Sequence, residues 1–436
     1  MNPTVNTLGP LQDGSHVVVI GGGPGGVGAA LALDNLARQM HRQLNITLFE
    51  GKVFEGERHF NQCVGVLSPP IENILQDSLG ISFPRHLIQR EITGYILHSD
   101  RRAILLEKDD PPAYSVRRVQ FDHYLLEQAR LRGIQIINSR VTDLEFHPAR
   151  VNVYSESGNT EADVVVGAFG LDEGTGVAFE RATGYRAPHF LDTVVTKMHP
   201  GKDIMDAFGN RIHAFLPSTR GIEFGAVTPK GNHLTMNIAG EHVGTDQMDL
   251  FLGSDAVQSV VSCMGCGLGE NDLAFFKGRF PISVARQFSG DRYVIVGDAA
   301  GLVRPFKGKG VNSALLTGTW AAQTMMQAGI SAQAFREYHR SCCVITDDMP
   351  YGKAIRALTI QMSKWNLFDI VIALAEQDLA LRHALFDAVS AHRTYRDIVH
   401  RTVNPRWLAR MALLLATLPF RNRKPKIDYK TSARAQ

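Results

Sequence analysis

Three glycines and one acid near the N-terminus carry the first chemical signal. Gly21, Gly23 and Gly26 follow the run His16-Val17-Val18-Val19-Ile20 on the G-x-G-x-x-G spacing. The first glycine of that pattern permits a tight turn, the second lets a pyrophosphate approach the backbone, and the third lets helix pack on strand. The helix that follows, from Val27 to about Met40, would aim its N-terminal amides at the phosphate. A second apolar run, Ile46-Thr47-Leu48-Phe49, ends in Glu50. That acid stands roughly 25 residues past the last glycine, near the spacing at which a carboxylate accepts both hydroxyls of a ribose. The pattern alone is also that of an ordinary doubly wound sheet whose glycines are only turns.

A second chemical cluster lies far along the chain. Asp291-Arg292-Tyr293-Val294-Ile295-Val296-Gly297-Asp298-Ala299-Ala300-Gly301 reads as strand, turn and acid. Pro305-Phe306-Lys307-Gly308-Lys309-Gly310-Val311-Asn312 then leads into a helix of small residues, Ser313 to Gln327. A glycine turn feeding a helix N-terminus suits an anionic or electron-rich ligand. Lys307 and Lys309 either attract such a ligand or form a solvated loop. Cys63, in a loop after Gly51, reads equally as a buried small hydrophobe. Cys263-Met264-Gly265-Cys266 is a single C-x-x-C, too little for zinc and compatible with a redox pair. Cys342-Cys343 lies in a helical stretch and suggests core packing. No HExxH spacing and no Gly-x-Ser-x-Gly elbow occur, and basic residues are not interleaved with aromatics as nucleic-acid binding requires.

The elements that must position these residues follow from periodicity. Val17–Ile20 and Val164–Val166 are apolar without alternation, as strands covered on both faces are. Arg118-Val119-Gln120-Phe121-Asp122 opens a helix with basic residues before it, and Ile134 to Ile137 is a strand beyond the helix-stopping Gly133. Val141–Leu144 and Val151–Tyr154 read as a hairpin, and Ile92–Leu97 with Ala103–Leu106 as a strand pair turned at Ser99–Arg102. From Gly184 to about Phe280 short alternating segments dominate (Thr193–Met198, Arg211–Leu216, Gly221–Val227, His233–Ile238), which predicts an antiparallel sheet inserted into the nucleotide-binding unit. Ser331 to Gln436 is helical in period. Within it Trp407 to Leu418 is apolar except for Arg410 and is flanked by basic residues. That run is too short to span a bilayer and suits either an interfacial helix or packing on its own domain.

The chain has 436 residues, 46 Lys and Arg against 43 Asp and Glu, and five cysteines. Length allows two or three domains. The near-balanced charge gives no sign of a nucleic-acid partner, and the odd cysteine count argues against a disulfide framework. Met1 to Ser15 lacks the apolar core of a signal peptide, so a cytoplasmic protein, at most peripheral on a membrane, is the expectation.

Together, the glycine turn with Glu50, the Gly297–Gly301 turn and Gly308-Lys309-Gly310-Val311-Asn312 resemble the FAD-binding motifs of the p-hydroxybenzoate-hydroxylase-type flavoproteins. Within that superfamily the chain most resembles the geranylgeranyl reductase family. Cys63-Val64-Gly65-Val66-Leu67 is similar to that family's cysteine–glycine stretch, Arg118…Phe121-Asp122…Leu125 to its Arg-x-x-Phe-Asp-x-x-Leu pattern, and His213-Ala214-Phe215-Leu216-Pro217 to its aromatic segment ending in Phe-Pro. The resemblance implies an α/β fold: a Rossmann-like FAD-binding domain (1–90, 109–183 and 285–330), an inserted antiparallel-sheet substrate domain (91–108 and 184–284), and a C-terminal helical region (331–436) with a basic tail.

It also implies roles. Gly21, Gly23 and Gly26 would cradle the pyrophosphate, Glu50 the adenosine ribose, Arg118 would lie by the cofactor, and Val141 would contact the adenine. Asp298 would hold the ribityl or pyrophosphate region. The amides of Gly310, Val311 and Asn312 would face the pyrimidine edge of the flavin, where reduction places negative charge. Cys63 is the candidate catalytic residue. Phe169-Gly170 replaces the Asp-Gly common in such flavoproteins, which leaves the electron donor open between NAD(P)H and a ferredoxin-like protein. The expected activity is reduction of a carbon–carbon double bond in an isoprenoid or other lipid-like substrate. A flavin monooxygenase acting on an apolar or aromatic substrate is the alternative.

Overall fold

The computed structural model describes residues 8–54, 63–262, 273–304, 310–402 and 409. Its first layer is a six-stranded sheet in the order Ser289–Gly290, Tyr293–Ile295, Val164–Gly167, His16–Ile20, Asn45–Phe49, Gln135–Ile137. All neighbours but the first pair run parallel. Val17, Val18 and Val19 are wholly buried, which is why their apolar run does not alternate. The helix after the glycine turn spans Pro24–Gln39, three residues earlier at its start than periodicity alone suggests, because Pro24 fits the first helical position.

That helix packs against helix Gly310–Gln327 through small residues. A Cβ on Gly318 would stand 2.4 Å from the Gly25 carbonyl oxygen, and one on Gly28 would stand 3.0 Å from that of Leu315. The two backbones therefore touch, and nothing larger than glycine fits at the crossing.

The second large sheet has seven strands in the order Phe276–Pro281, Phe190–Met198, Leu234–Gly240, Phe224–Pro229, Arg211–Phe215, Gly94–His98, Ala103–Glu107. The expected antiparallel sheet is present with one exception. Strand Arg211–Phe215 runs parallel to Gly94–His98, because the two are joined by a long excursion through the nucleotide-binding part rather than by a hairpin. Small three-stranded sheets carry Val141–Phe146 and Ala113–Val116.

The described C-terminal helices add to the cores of both sheets. Phe335, Tyr338, Cys342, Ile345 and Met349 belong to the core of the parallel sheet. Ile372, Ala375 and Phe386 join Tyr95 and Leu97 on the second sheet. Of the two adjacent cysteines, Cys342 is in that core and Cys343 is exposed, as one residue per face of a helix requires. No described helix is long and apolar enough to cross a membrane. Lys307 and Lys309, Cys263 and Cys266, and the Trp407–Leu418 run apart from Ala409 lie outside the described residues.

On the second sheet His98 and His213 meet on one face, Nε2 to Nδ1 at 2.9 Å. One ring donates and the other accepts. Burial pushes His213 down to about 3, and burial followed by the His213 charge pushes His98 well below its ordinary value. Both rings are therefore neutral when folded and bind protons when unfolded. Their contribution to stability is present above the unfolded value near 6.5 and is lost as pH falls toward 3.

Two predictions follow from this packing. Gly318→Ala is expected to lower stability by about 1–3 kcal/mol through overpacking, read as a lower melting temperature. Each histidine is expected to cost on the order of 2 kcal/mol at about pH 5. His213→Gln should consequently flatten the fall in melting temperature between about pH 6.5 and 4.5, and an unchanged slope would remove the pair as its cause.

Candidate functional site

The strand His16–Ile20 ends at Gly21, whose φ of +112° is open to glycine alone. A Cβ there would sit 2.3 Å from the Ala168 carbonyl oxygen, and one on Gly26 would sit 1.8 Å from that of Gly21. Gly23 is different: a Cβ there would meet nothing within 4 Å, and the residue lines a cavity. Gly23 caps the helix with no side-chain hydrogen bond, so the first helical amides face open space. Gly21 and Gly26 thus shape the turn, while Gly23 leaves room for a ligand.

Glu50 closes one side of the turn. Its Oε2 accepts from the Gly22 amide at 2.7 Å and its Oε1 from the Lys52 amide at 2.7 Å. Burial raises its pKa above the ordinary carboxylate value, and those two amides pull it back. Each oxygen keeps a further lone pair for a hydroxyl. Val141, at the start of its strand, lines the same end of the cavity.

Arg118 opens helix Arg118–Leu131 and pairs with Asp122 one turn on, Nη2 to Oδ1 at 2.9 Å. Its Nη1 lies 4.0 Å from Cys63 Sγ. Burial works against the Arg118 charge, but Asp122, Cys63 and Asp298 raise its pKa overall. Burial raises Asp298 in turn, and Arg118 opposes that shift. Asp298 sits in the turn Gly297–Ala300, held where the Gly297 amide donates to Thr317 Oγ1 at 3.0 Å. A Cβ on Gly310 would stand 2.8 Å from Asp298 Oδ1, so the Asp298 turn and the start of the Gly310 helix meet here.

One cavity of about 880 Å³ unites these residues. Gly21, Gly23, Glu50, Cys63, Arg118, Val141, Asp298, Gly310 and Val311 all line it. Gly26 and Asn312 stand behind its wall. Asn312 Nδ2 donates to the Ser68 carbonyl oxygen at 2.9 Å and ties the helix start to the Cys63 loop. Cys63 is exposed rather than buried. Beyond Cys63 the cavity becomes apolar, walled by Tyr95, Leu97, Phe215 and Phe224 of the second sheet and by Phe368 and Leu385 of the C-terminal helices. A volume of this size, with polar groups gathered at one end, is that of a cofactor and substrate site.

No protein-family model and no curated protein matches the sequence. Solved structures match its fold. A geranylgeranyl bacteriochlorophyll reductase-like protein from Thermoplasma acidophilum is 18% identical, with 89% of this chain and 98% of that one covered at a TM-score of 0.67. A flavoprotein/dehydrogenase from Cytophaga hutchinsonii is 15% identical over 93% and 99% of the two chains, at 0.66. CmlS, a flavin-dependent halogenase, is 18% identical over 92% and 78%, at 0.59. The chain shares the fold of these three proteins, two of them named as a flavoprotein and a flavin-dependent enzyme.

Within this fold, sequence reading missed three features. Asp122 was visible as part of a motif, and its spacing four residues after Arg118 is the signal for their ion pair. Gly65, with φ +73°, places a backbone against Val116, where a Cβ would stand 2.2 Å from the carbonyl oxygen. The third is the apolar wall, whose residues come from strands and helices some 300 positions apart and share no motif. In the aromatic segment, Ala214, Phe215 and Leu216 line the cavity while His213 turns to His98.

Glu50→Ala removes the acceptor of the Gly22 amide and is expected to weaken FAD binding by about tenfold or more, the equivalent of one charge-assisted hydrogen bond. Fluorescence titration of the purified chain reads this. Glu50→Gln, which keeps one acceptor, should fall between. Equal affinity in all three proteins would remove Glu50 from the site.

Proposed function

We propose that the protein is an FAD-dependent oxidoreductase that reduces a carbon–carbon double bond of an isoprenoid or other lipid-like substrate. The observation that carries this reading is the single cavity running from the glycine turn to an apolar wall. The residues present fit the cofactor: an open cradle at Gly23, an acid at the end of the second strand, and a helix start at Gly310 beside Asp298. Reduced FAD supplies a hydride when bound there.

The chain's own residues do the rest. Gly21, Gly23 and Gly26 accommodate the pyrophosphate against the first helix, and Glu50 accepts from the ribose. The helix-start amides of Gly310, Val311 and Asn312 favour negative charge nearby. Arg118 and Asp298 order the middle of the site. Cys63, which lines the cavity between its polar and apolar ends, is the proposed catalytic residue. Tyr95, Leu97, Phe215 and Phe224 hold the alkene and exclude water. Electrons come from NAD(P)H or a ferredoxin-like donor. Delivery from a bilayer surface belongs to the same reading, because the helices behind the apolar wall expose Leu358, Trp365 and Leu379 to solvent.

Product mass decides between reduction and oxygen transfer. The enzyme is reduced chemically under argon, given an extract of unsaturated prenyl lipids, and compared with an aerobic sample. A gain of hydrogen pairs without air is expected. Gain of a single oxygen, in air only, would replace the reductase reading with the monooxygenase one.

A further inference from the structure

A hairpin turn of the second sheet reaches across to the loop that carries Cys63. It joins strands Phe224–Pro229 and Leu234–Gly240 and is closed by the Lys230 amide, which donates to the His233 carbonyl oxygen at 2.9 Å. Lys230 is 3% exposed. Its Nζ donates to the Val116 carbonyl oxygen at 2.8 Å, at the end of strand Ala113–Val116. The Val116 amide in turn donates to the Gly65 carbonyl oxygen at 2.8 Å. A Cβ on Gly65 would stand 2.9 Å from the Lys230 Nζ. The space a side chain at position 65 would fill is thus the space beside the lysine head. The Gly65 amide donates to Cys63 Sγ at 3.4 Å.

Two cations are therefore set about one thiol. Arg118 Nη1 lies 4.0 Å from Cys63 Sγ, and the ionised thiol favours the charges of both Arg118 and Lys230. Such an interaction is mutual: the gain that the thiolate gives each cation, the cation gives the thiolate. Other groups share in it. Arg118 also meets Asp122 and Asp298. Burial lowers the Lys230 pKa to about 8; Cys63 opposes that shift, and Lys197, Arg117 and Arg118 add to it. His233, next to Lys230, is pushed down to about 3, first by burial and then by Lys230, so it is neutral. Lys230 is buried, whereas Cys63 is exposed and lines the cavity.

We propose that Lys230 is a positioning residue for Cys63: its ammonium, tied to Val116 and seated against Gly65, holds the Cys63 loop to the second sheet and stabilises the thiolate. The thiolate is the nucleophilic form of a cysteine. One side chain then links the sheet that walls the apolar part of the cavity to the thiol at its polar end. The inference rests on the reading of Cys63 as the catalytic residue and adds what sets its charge.

Alkylation of the FAD-loaded full chain by iodoacetamide is followed from about pH 6 to 9 by mass spectrometry of the peptides carrying Cys63 and Cys343. Cys343, exposed on its helix, is the internal reference. Lys230→Gln keeps a donor for Val116 and removes the charge, and Lys230→Met removes both. Each is expected to slow Cys63 relative to Cys343 by about threefold or more near pH 7. The gap should close above about 8, where Lys230 loses its own charge. A loss in Lys230→Met alone makes the lysine a tether only and overturns its action on the thiolate. Unchanged Cys63 rates in both variants, equal changes at Cys343, or a wild-type Cys63 that does not react overturn the proposal as a whole. Cys63→Ser with undiminished product in the argon assay overturns the catalytic reading beneath it, whatever the alkylation rates.

Discussion

The contact between helices Pro24–Gln39 and Gly310–Gln327 governs the rest of the architecture. Their backbones touch at Gly25, Gly28 and Gly318, closer than any side chain allows. Two helix starts, almost 300 residues apart in sequence, are thereby brought to the same cavity. Each carries a positive partial charge, and both face the same ligand space. The Gly297–Ala300 turn, packed below Gly310, adds an acid between them. Without this crossing the glycine turn would be one more βα connection, and Asp298 would have no reason to meet Arg118.

The charges of the site are arranged by role. Arg118 and Asp122 neutralise one another one helical turn apart, so their burial is compensated. Glu50 is compensated first by two backbone amides and then by the Lys52 charge, and each oxygen keeps a lone pair for a neutral hydroxyl. The same cavity thus holds a compensated polar end and an apolar middle.

The C-terminal helices belong to both cores. Phe335 and Tyr338 complete the parallel sheet, while Ile372 and Phe386 cover the second one. Tyr338 donates to the Ile295 carbonyl oxygen at 3.1 Å, and Lys108 reaches Asp387 at 3.0 Å. These ties let Phe368 and Leu385 act as a fixed wall of the cavity.

The sequence by itself determined the local parts. G-x-G-x-x-G after four β-branched residues specifies strand, turn and helix, because only glycine takes the backbone at Gly21 and only small residues permit the close approach at Gly26. Glu50 and Asp298 were legible because each ends an apolar run at a motif's spacing. Alternation in 184–280 marked strands but not their neighbours. Periodicity records which face is buried and not which strand lies beside it, so the parallel pairing of Arg211–Phe215 with Gly94–His98 was decided only in three dimensions. The cavity wall was decided there too. Tyr95, Phe215 and Phe224 are unremarkable singly, and they share one wall through a register that no local pattern encodes.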